Sequence, residues 1–544
     1  MEKMLLLGAE AIAQGAIDSG LSGIYAYPGT PSTEITTYVQ ESADAREKGI
    51  RSNWSTNEKT AYEAALGMSL VGKRTMVCMK HVGLNVAADA FVNSAVTGVH
   101  GGLIVVVADD PSMHSSQNEQ DSRFFGKFAL IPVIEPSNQQ ELYDSVRFGF
   151  ELSEKFSLPV MLRVTTRLSH SRSGIIRKNS IAQNELSLPK DPFQFMLLPA
   201  LARKKYHNLI EVQSLLEKES DDSALNPLEI NNEGGLGVIA FGIGYNYLME
   251  NISAEKSNYN ILKVSQYPLP RKKVEKLFKS SSRVLILEEG YPIYEELLRG
   301  YLSVDGATPI DGRLNGVVVR EGELDPDNVA KALGRNSKNI NPLHGLIVNR
   351  PPQLCQGCSH RDLYDELNEA LAGVANKHVF TDIGCYTLGA LPPYNAANSC
   401  VDMGASITMA KGAADAGFSP AVAVIGDSTF THSGITGLLD AVNDKSNVTI
   451  IISDNSTTAM TGGQDSAGTG KLFDICLGVG VEKEHIRTFE PLGKYNSENV
   501  AILKEEIAYE GVSVIIAARE CIQTQLRRKK TEKKDEPLVR NCNH

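Results

Sequence analysis

The stretches Gly426-Asp427-Ser428-Thr429-Phe430 and Ser453-Asp454-Asn455-Ser456-Thr457 decide the fold predicted for this chain, because each directly follows an apolar run. Between them, apolar residues recur at i, i+3, i+4 and i+7, the period of an amphipathic helix; they are Ile435, Leu438, Leu439 and Val442. The pattern predicts a strand–helix–strand unit, whose two strands are parallel. Since parallel strands end at the same edge of a sheet, Asp427 and Asn455 are expected to meet where α/β folds bind ligands.

The side chains at this edge suit a diphosphate held through a divalent cation. Mg²⁺ prefers oxygen ligands, which the Asp427 carboxylate, the Asn455 amide and a backbone carbonyl near Thr457 can supply. The spacing resembles the thiamine-diphosphate-binding motif, Gly-Asp-Gly followed by Asn-Asn, with Ser428 replacing the second Gly and Asp454 the first Asn. The alternative is that Gly426-Asp427 and Asp454-Asn455 are simply turns in an α/β domain that binds no such cofactor. The resemblance implies these cofactor-binding residues: Gly426, Asp427, Ser428, Asn455 and Thr457, of which Asp427, Asn455 and Thr457 hold Mg²⁺.

Length and composition narrow the class of protein. A chain of 544 residues is too long for one core and indicates several domains. Its 42% hydrophobic and 22% charged residues are typical of a globular protein. A net charge of −11 argues against nucleic-acid binding, and no apolar run reaches the roughly 20 residues of a membrane span. Without a signal-peptide pattern at the N-terminus, we expect a cytoplasmic protein whose eight cysteines are thiols or metal ligands.

The chain divides into successive regions. Residues 1–195 alternate strand-like runs with helical patterns, which predicts a parallel-sheet α/β domain. Residues 196–232 are polar with helical stretches and indicate a connector, and 233–340 predict a smaller α/β domain. The segment 341–352 leads into the domain at 345–522 that contains Asp427 and Asn455. The charged tail, 523–544, is expected to be extended.

Two segments near the N-terminus contain further candidate site residues. Tyr27-Pro28-Gly29-Thr30-Pro31-Ser32-Thr33 places hydroxyl groups at the end of a predicted strand, although it equally fits a capped helix start. Thiamine chemistry needs a buried carboxyl group that hydrogen-bonds the aminopyrimidine ring. Glu58 and Glu63 are both available for this role, and a solvated position on the surface of a helix is the alternative for at least one of them.

The cysteines provide a possible metal site. Cys355-Gln356-Gly357-Cys358 is a C-x-x-C pair, and Cys385 and Cys521 follow far along the chain. Such a set suits a tetrahedral site of four sulfurs, either iron–sulfur or structural zinc. The remaining internal cysteines are interpreted as small core residues or as incidental; they are Cys78, Cys400 and Cys476.

Together these segments resemble the 2-oxoacid:ferredoxin oxidoreductases, and among them the large (alpha) subunits of the enzymes that act on indolepyruvate. The segments that carry the resemblance span nearly the whole chain in the family's order; they are 27–35, 57–67, 79–87, 115–121, 355–361, 382–388, 426–439 and 454–464. The resemblance implies a multidomain α/β thiamine-diphosphate-binding fold. The pyrimidine-binding domain would comprise residues 1–195, the transketolase-C-terminal-like domain 233–340 and the diphosphate-binding domain 345–522.

The resemblance also implies an activity, the oxidative decarboxylation of aryl 2-oxo acids to the acyl-CoA and CO₂, with electrons passing to ferredoxin. Glu58 would activate the cofactor and Thr30 would contact the substrate. A 4Fe–4S cluster would be held by Cys355, Cys358, Cys385 and Cys521. The implied partners are a small (beta) subunit, ferredoxin, coenzyme A and the aryl 2-oxo acid, in a heterotetramer built on a homodimer of this chain.

One departure from the family's pattern leaves alternatives open. Family members continue into a C-terminal ferredoxin-like domain, whereas this sequence ends at Arg540-Asn541-Cys542-Asn543-His544, which looks like the opening of such a domain. Either the chain is truncated or its tail ends there naturally. Without the ferredoxin-like domain, the sequence lacks the distal part of the electron path. This motivates a second hypothesis, a non-oxidative thiamine-diphosphate-dependent 2-oxoacid decarboxylase. The C-x-x-C pair counts against it, because such an enzyme needs no cluster. A non-catalytic assembly subunit is a third, disfavoured by the intact Glu58, Asp427 and Asn455.

Overall fold

The computed structural model describes residues 3–302, 308–336, 346, 352–375 and 377–535. The chain divides into two compact units, Met1–Pro342 and Leu343–His544. Most of the predicted connecting segment 341–352, and the C-terminal Cys542, lie outside the described residues. Within them, no helix combines the length and the apolar character that crossing a bilayer requires.

The first unit is built on parallel sheets. Its strands are β1 (Lys3–Leu7), β2 (Gly23–Ala26), β3 (Arg51–Trp54), β4 (Thr75–Lys80), β5 (Leu103–Asp109), β6 (Val133–Ile134), β7 (Val160–Thr165), β8 (Arg172–Ile176), β9 (Leu228–Glu229), β10 (Gly235–Phe241), β11 (Tyr259–Val264), β12 (Gln266–Tyr267), β13 (Ser281–Leu287) and β14 (Ile310–Asp311). The central β4, β5 and β7 are buried at every position, as expected for strands of β-branched and apolar residues covered on both faces.

Helices connect and cover these strands. They are α1 (Gly8–Asp18), α2 (Thr33–Glu41), α3 (Ala43–Glu47), α4 (Glu58–Leu70), α5 (His81–Thr97), α6 (Arg123–Ala129), α7 (Gln139–Phe156), α8 (Thr166–His170), α9 (Pro199–Glu211), α10 (Gln213–Asp222), α11 (Gly244–Ile252), α12 (Arg271–Lys279), α13 (Ile293–Leu302) and α14 (Pro326–Ala332). The predicted connector at 196–232 contains α9 and α10.

Two larger sheets organise the first unit. The first has the strand order β12-β6-β7-β5-β4-β2-β3, and all its neighbouring pairs are parallel except β12 with β6. The second has the order β14-β13-β10-β11-β9 and is parallel except for β9. The short strand β12 therefore belongs to the first sheet, although its sequence lies within the predicted second domain.

The second unit contains one five-stranded parallel sheet of order β15-β16-β17-β21-β20 and the small hairpin β18–β19. Its strands are β15 (Val379–Thr381), β16 (Ala421–Gly426), β17 (Val448–Asp454), β18 (Thr457–Thr458), β19 (Gln464–Asp465), β20 (Ile486–Phe489) and β21 (Val512–Ala518). Its helices are α15 (Ser359–Ala370), α16 (Ala405–Asp415), α17 (Asp427–Thr429), α18 (Ile435–Asn443), α19 (Leu472–Val479), α20 (Asn496–Ile507) and α21 (Ile522–Asp535).

The predicted α/β class and the predicted strand–helix–strand unit are confirmed, because β16 and β17 are adjacent and parallel, with Gly426 opposite Ser453. The connecting helix differs in detail, since a π-helical segment, Phe430–Gly434, separates α17 from α18. The expectation of an extended tail is wrong over Ile522–Asp535. This segment is rich in Lys, Arg and Gln, which are strong helix formers, and it forms α21.

Candidate active site

Asp427 lies at the carboxyl end of β16, where the predicted metal ligands were expected. Its side chain is buried, and its Oδ2 has no hydrogen-bond partner among the residues the structure describes. Burial, and then the charge of Asp454, raises the pKa of Asp427 to about 7. A buried carboxylate of this kind is stabilised by a cation. The orphaned oxygen therefore fits a Mg²⁺ ligand.

Asn455 follows the neighbouring strand β17 and is also buried. Its Oδ1 accepts a hydrogen bond from the backbone N–H of Thr457 at 3.2 Å, and Ser456 between them has a left-handed φ of 60°. This turn brings the Thr457 backbone back toward Asn455. Both amide and carbonyl oxygens are ligands that Mg²⁺ accepts.

The two positions that depart from the thiamine motif have local roles. The hydroxyl of Ser428 lies 2.6 Å from the Thr458 hydroxyl, which ties the start of the connecting helix to the β18–β19 hairpin. The Oδ1 of Asp454 accepts a hydrogen bond from the Ser456 N–H at 2.9 Å and shapes the turn after β17. At Gly426, a Cβ atom would lie 2.7 Å from the ring of Tyr386, so this position requires glycine for close packing.

His360 belongs to the same site, and the sequence reasoning missed it. Its Nδ1 lies 2.7 Å from the Ser453 hydroxyl, and its Nε2 lies 3.4 Å from the Asn455 side-chain nitrogen. Burial, with a smaller effect from Arg519, lowers the pKa of His360 to about 4. The neutral ring can thus accept from Asn455 through Nε2 and donate to Ser453 through Nδ1. The available signal was its position two residues after Cys358.

Asp382 is a second residue that the sequence reasoning did not assign. It lies just after β15, and its carboxylate accepts hydrogen bonds from the Tyr386 hydroxyl and from the backbone N–H groups of Gly404 and Ser406. Burial raises the pKa of Asp382 to about 6. These contacts fix the N-terminus of α16 beside the edge of the sheet that carries Asp427.

The four predicted cluster cysteines are electrostatic neighbours. Burial, together with the charges of Cys358, Cys521 and Cys355, raises the pKa of the Cys385 thiol to about 12. None of the four is in a disulfide. Within the described part of the chain, no group of three or more His, Cys, Asp or Glu side chains has the geometry of a metal site. The structure thus brings the cysteines into one neighbourhood without arranging the sulfurs around a common centre.

The other cysteines lie apart from this set. Cys78 and Cys476 are fully buried in apolar cores, whereas Cys400 is exposed.

In the first unit, Glu58 and Glu63 have different environments. Glu58 is the first residue of α4 and is buried, whereas Glu63 is exposed and pairs with Lys59. The Glu58 carboxyl packs against the first turn of α5, since a Cβ atom at Gly83 would lie 2.5 Å from Glu58 Oε1. Of the two, only Glu58 has the burial expected of a cofactor-activating carboxyl.

Thr30 lies in the loop after β2, at the carboxyl edge of the first sheet. Its carbonyl oxygen accepts a hydrogen bond from the Ser115 hydroxyl at 3.4 Å. Helix α2 begins at Thr33, so a helix does start in this segment. Ser32 precedes the helix without a side-chain capping hydrogen bond, so the expectation of a capped start is wrong.

Proteins with similar sequences match nearly the whole chain. The sequence is 38% identical over 552 residues to the indolepyruvate oxidoreductase subunit IorA of Archaeoglobus fulgidus, covering 96% of this chain and 86% of that protein. The chain belongs to the IorA family of indolepyruvate oxidoreductase subunits. The IorA subunit of Methanothermobacter thermautotrophicus is 39% identical, with 96% of this chain and 87% of that protein covered.

Family profiles match both units of this IorA-family chain. Residues 14–196 match the thiamine-diphosphate-binding profile of pyruvate flavodoxin/ferredoxin oxidoreductases, and residues 382–485 match the C-terminal TPP-binding domain of thiamine pyrophosphate enzymes. A 2-oxoglutarate:ferredoxin oxidoreductase from Magnetococcus marinus shares the fold, with a TM-score of 0.51 and 16% identity over 61% of this chain and 65% of that one. The predicted family, the oxidoreductase class and thiamine diphosphate binding are confirmed.

Proposed function

We propose that this chain is the large subunit of an enzyme that oxidatively decarboxylates aryl 2-oxo acids such as indolepyruvate. The products are the aryl acyl-CoA, CO₂ and one proton, and two electrons pass singly to two ferredoxin molecules. Its IorA relatives are named as indolepyruvate oxidoreductase subunits, which supports the substrate class. The chain works with a small partner subunit, which binds coenzyme A. Two copies of this chain form a homodimer within a heterotetramer.

The observation that carries the proposal is the contact between the cysteine set and the metal-ligand candidates. The backbone N–H of Cys521 donates to the carbonyl oxygen of Asn455 at 3.1 Å. The Asp427 charge also contributes to the raised pKa of the Cys385 thiol. A cluster on these cysteines would therefore adjoin the diphosphate site, so electrons released there would have a short path to it.

In this proposal, named groups of this chain hold the metal ion, the cofactor and the substrate. Asp427, Asn455 and the backbone carbonyl of Thr457 hold Mg²⁺, and the start of the helix after Gly426 faces the diphosphate with backbone N–H groups. Glu58 hydrogen-bonds the aminopyrimidine ring, and Thr30 contacts the substrate. When bound, thiamine diphosphate supplies a carbon nucleophile and stabilises the electron pair left behind by CO₂. A 4Fe–4S cluster on Cys355, Cys358, Cys385 and Cys521 supplies one-electron transfer.

A non-oxidative decarboxylase would use the same metal and carboxyl groups but would have no use for the four cysteines. Their grouping against Asn455, in a chain that belongs to an oxidoreductase family, favours the oxidative reaction. The decisive comparison is between aldehyde release and acyl-CoA formation.

The test is an anaerobic preparation of the chain with its small subunit. Thiamine diphosphate, Mg²⁺ and iron are measured on one sample, followed by indolepyruvate-dependent ferredoxin reduction with and without coenzyme A. We expect stoichiometric thiamine diphosphate, about four irons per chain, and reduction that requires coenzyme A. Indoleacetaldehyde released without an electron acceptor would contradict the oxidative reaction.

Two variants separate the cofactors. Asp427→Ala is expected to lose thiamine diphosphate and keep iron, while Cys385→Ser is expected to lose iron and keep thiamine diphosphate. Cys476→Ser, which alters a thiol buried away from the site, is the control for thiol substitution. Retention of iron by Cys385→Ser would exclude this cysteine as a cluster ligand.

A further inference from the structure

Lys80 is a buried lysine without a carboxylate partner. It is the last residue of β4 and directly precedes α5, and it is 8% exposed. Its Nζ donates to the carbonyl oxygen of Ser115 at 2.7 Å and to the Ser115 hydroxyl at 3.3 Å. No carboxylate among the described residues lies within ion-pair distance of it. Burial lowers the pKa of Lys80 to about 8, and the more distant Asp110 opposes this.

This arrangement differs from that of a second deeply buried lysine among the described residues of the first unit. Lys263 is 5% exposed and forms a close ion pair with Glu141. Buried ammonium groups are ordinarily paired in this way, because an uncompensated charge is costly in a low-dielectric environment. Among the described residues, the Lys80 ammonium donates only to the neutral oxygens of Ser115, which is the arrangement of a cation that pairs with an incoming anion.

The surroundings of Lys80 also suit an anion. Lys80 stands at the N-terminus of the 17-residue helix α5, where unpaired backbone N–H groups and the helix dipole favour negative charge. The next residue, His81, is 1% exposed, and neither of its ring nitrogens has a hydrogen bond of good geometry to the described residues, although Asn118 is close. Two buried polar side chains therefore present unused hydrogen-bonding capacity at this helix start.

The position of Lys80 relates it to both proposed site residues of the first unit. Its Ser115 partner also hydrogen-bonds the Thr30 carbonyl, and a Cβ atom at Gly29 would lie 3.3 Å from Lys80 Cβ. The Glu58 carboxyl packs against Gly83, on the first turn of α5. Lys80 thus stands between the loop of Thr30 and the helix turn that contacts Glu58.

We propose that Lys80, at the start of α5, binds the carboxylate of the aryl 2-oxo acid. This inference rests on the proposed function and names the group by which the substrate is selected. Because the carboxylate loses its charge as CO₂ departs, the ion pair stabilises bound substrate more than the transition state. Lys80 therefore acts on KM and on selection of acids over uncharged analogues, and it does not raise kcat.

The test uses the assembled enzyme with Lys80→Met, and the probes are indole-3-propionate and its uncharged amide. The wild-type enzyme is expected to bind the acid ~10–100-fold more tightly than the amide, the range of a hydrogen bond to a charged group. Lys80→Met loses this preference, keeps its thiamine diphosphate content, and raises KM for indolepyruvate without lowering kcat. Lys155→Met, at a lysine whose side chain is 56% exposed, is the control.

The outcomes separate this inference from the proposed function. A Lys80→Met enzyme that keeps the acid preference and its cofactor overturns the role of Lys80, whatever the wild-type enzyme turns over. If the wild-type enzyme turns over no aryl 2-oxo acid, the proposed function fails, and the binding comparison still reports on Lys80. If Lys80→Met fails to fold, Lys80→Gln, which can still donate to the Ser115 carbonyl, provides the same comparison.

Discussion

The Nε2 of His360 lies 3.4 Å from the side-chain nitrogen of Asn455, while the Nδ1 of the same ring lies 2.7 Å from Ser453. The histidine thus holds the amide with its nitrogen toward the ring, and Oδ1 is left beside the Thr457 N–H. A residue of the cysteine-bearing segment consequently orients the side chain proposed to bind Mg²⁺.

We predict that His360→Leu weakens Mg²⁺-dependent thiamine diphosphate binding by ~10-fold, the effect of one lost buried hydrogen bond. His360→Gln retains a donor and an acceptor and should recover part of the affinity. Calorimetric titration at several Mg²⁺ concentrations measures both effects, with iron determined on the same samples. His207→Leu, at an exposed histidine, is the control, and unchanged affinity in His360→Leu would exclude the orienting role.

Gly83→Ala should slow cofactor activation, because its Cβ would displace the Glu58 carboxyl. The measurement is proton exchange at carbon 2 of bound thiamine diphosphate, expected to slow by ~100-fold or more, as for loss of a general acid–base group. Gly67→Ala in α4 is the matched control, since a Cβ there has no atom within 4 Å. It should stabilise the helix by ~1 kcal/mol and leave exchange unchanged.

Lys80→Met and Lys263→Met should differ in stability. Removing the ammonium of Lys263 leaves the Glu141 carboxylate with its hydrogen bonds from Ser137 but without its ion-pair partner, which we expect to cost ~3 kcal/mol in the free energy of unfolding. Lys80→Met leaves no carboxylate behind and should change stability by less than ~1 kcal/mol. Urea denaturation of the two variants at neutral pH measures the difference. Equal destabilisation would show that Lys80 has a hidden charged partner.

Glu289 should make stability depend on pH. Burial raises the pKa of this carboxyl to about 7, with the nearby Thr165 hydroxyl and Arg163 opposing, and neither oxygen has a hydrogen bond of good geometry to the described residues. The folded state therefore holds the proton more tightly than the unfolded state, so the free energy of unfolding falls as pH rises from about 4.5 to about 7. Across this window the effect is at most ~3 kcal/mol.

Glu289→Gln remains neutral at all pH values. Relative to the wild-type chain, it should be more stable at pH 8 and equally stable near pH 4, as measured by thermal unfolding across that range. Glu321→Gln, at an exposed position, should not change the pH profile. A pH-independent difference between Glu289→Gln and wild type would show that Glu289 does not titrate in this range.

The sequence predicted the parallel strands and the meeting of Asp427 with the Asn455 turn, because apolar runs and their period are local properties. His360 could not be assigned, since its contacts lie 93 and 95 residues away in sequence. The π-helical segment Phe430–Gly434 was also missed. A pattern search based on 3.6 residues per turn does not detect a single turn that is one residue longer. Glu58 is buried because it packs against Gly83 in α5, whereas Glu63 is exposed. The sequence pattern within α4 contains no information about this contact.

The two-residue strand β12 has a consequence for the architecture of the first unit. Gln266 and Tyr267 pair with β6. One edge strand of the seven-stranded sheet therefore comes from the predicted second domain, 233–340. A fragment ending near residue 195 would leave the N–H and C=O groups on the β12 side of β6 unpaired and open to association with other molecules, while β7 still paired the other side. The first two predicted domains therefore share a sheet, and a cut at the predicted boundary between them would expose one edge of that sheet.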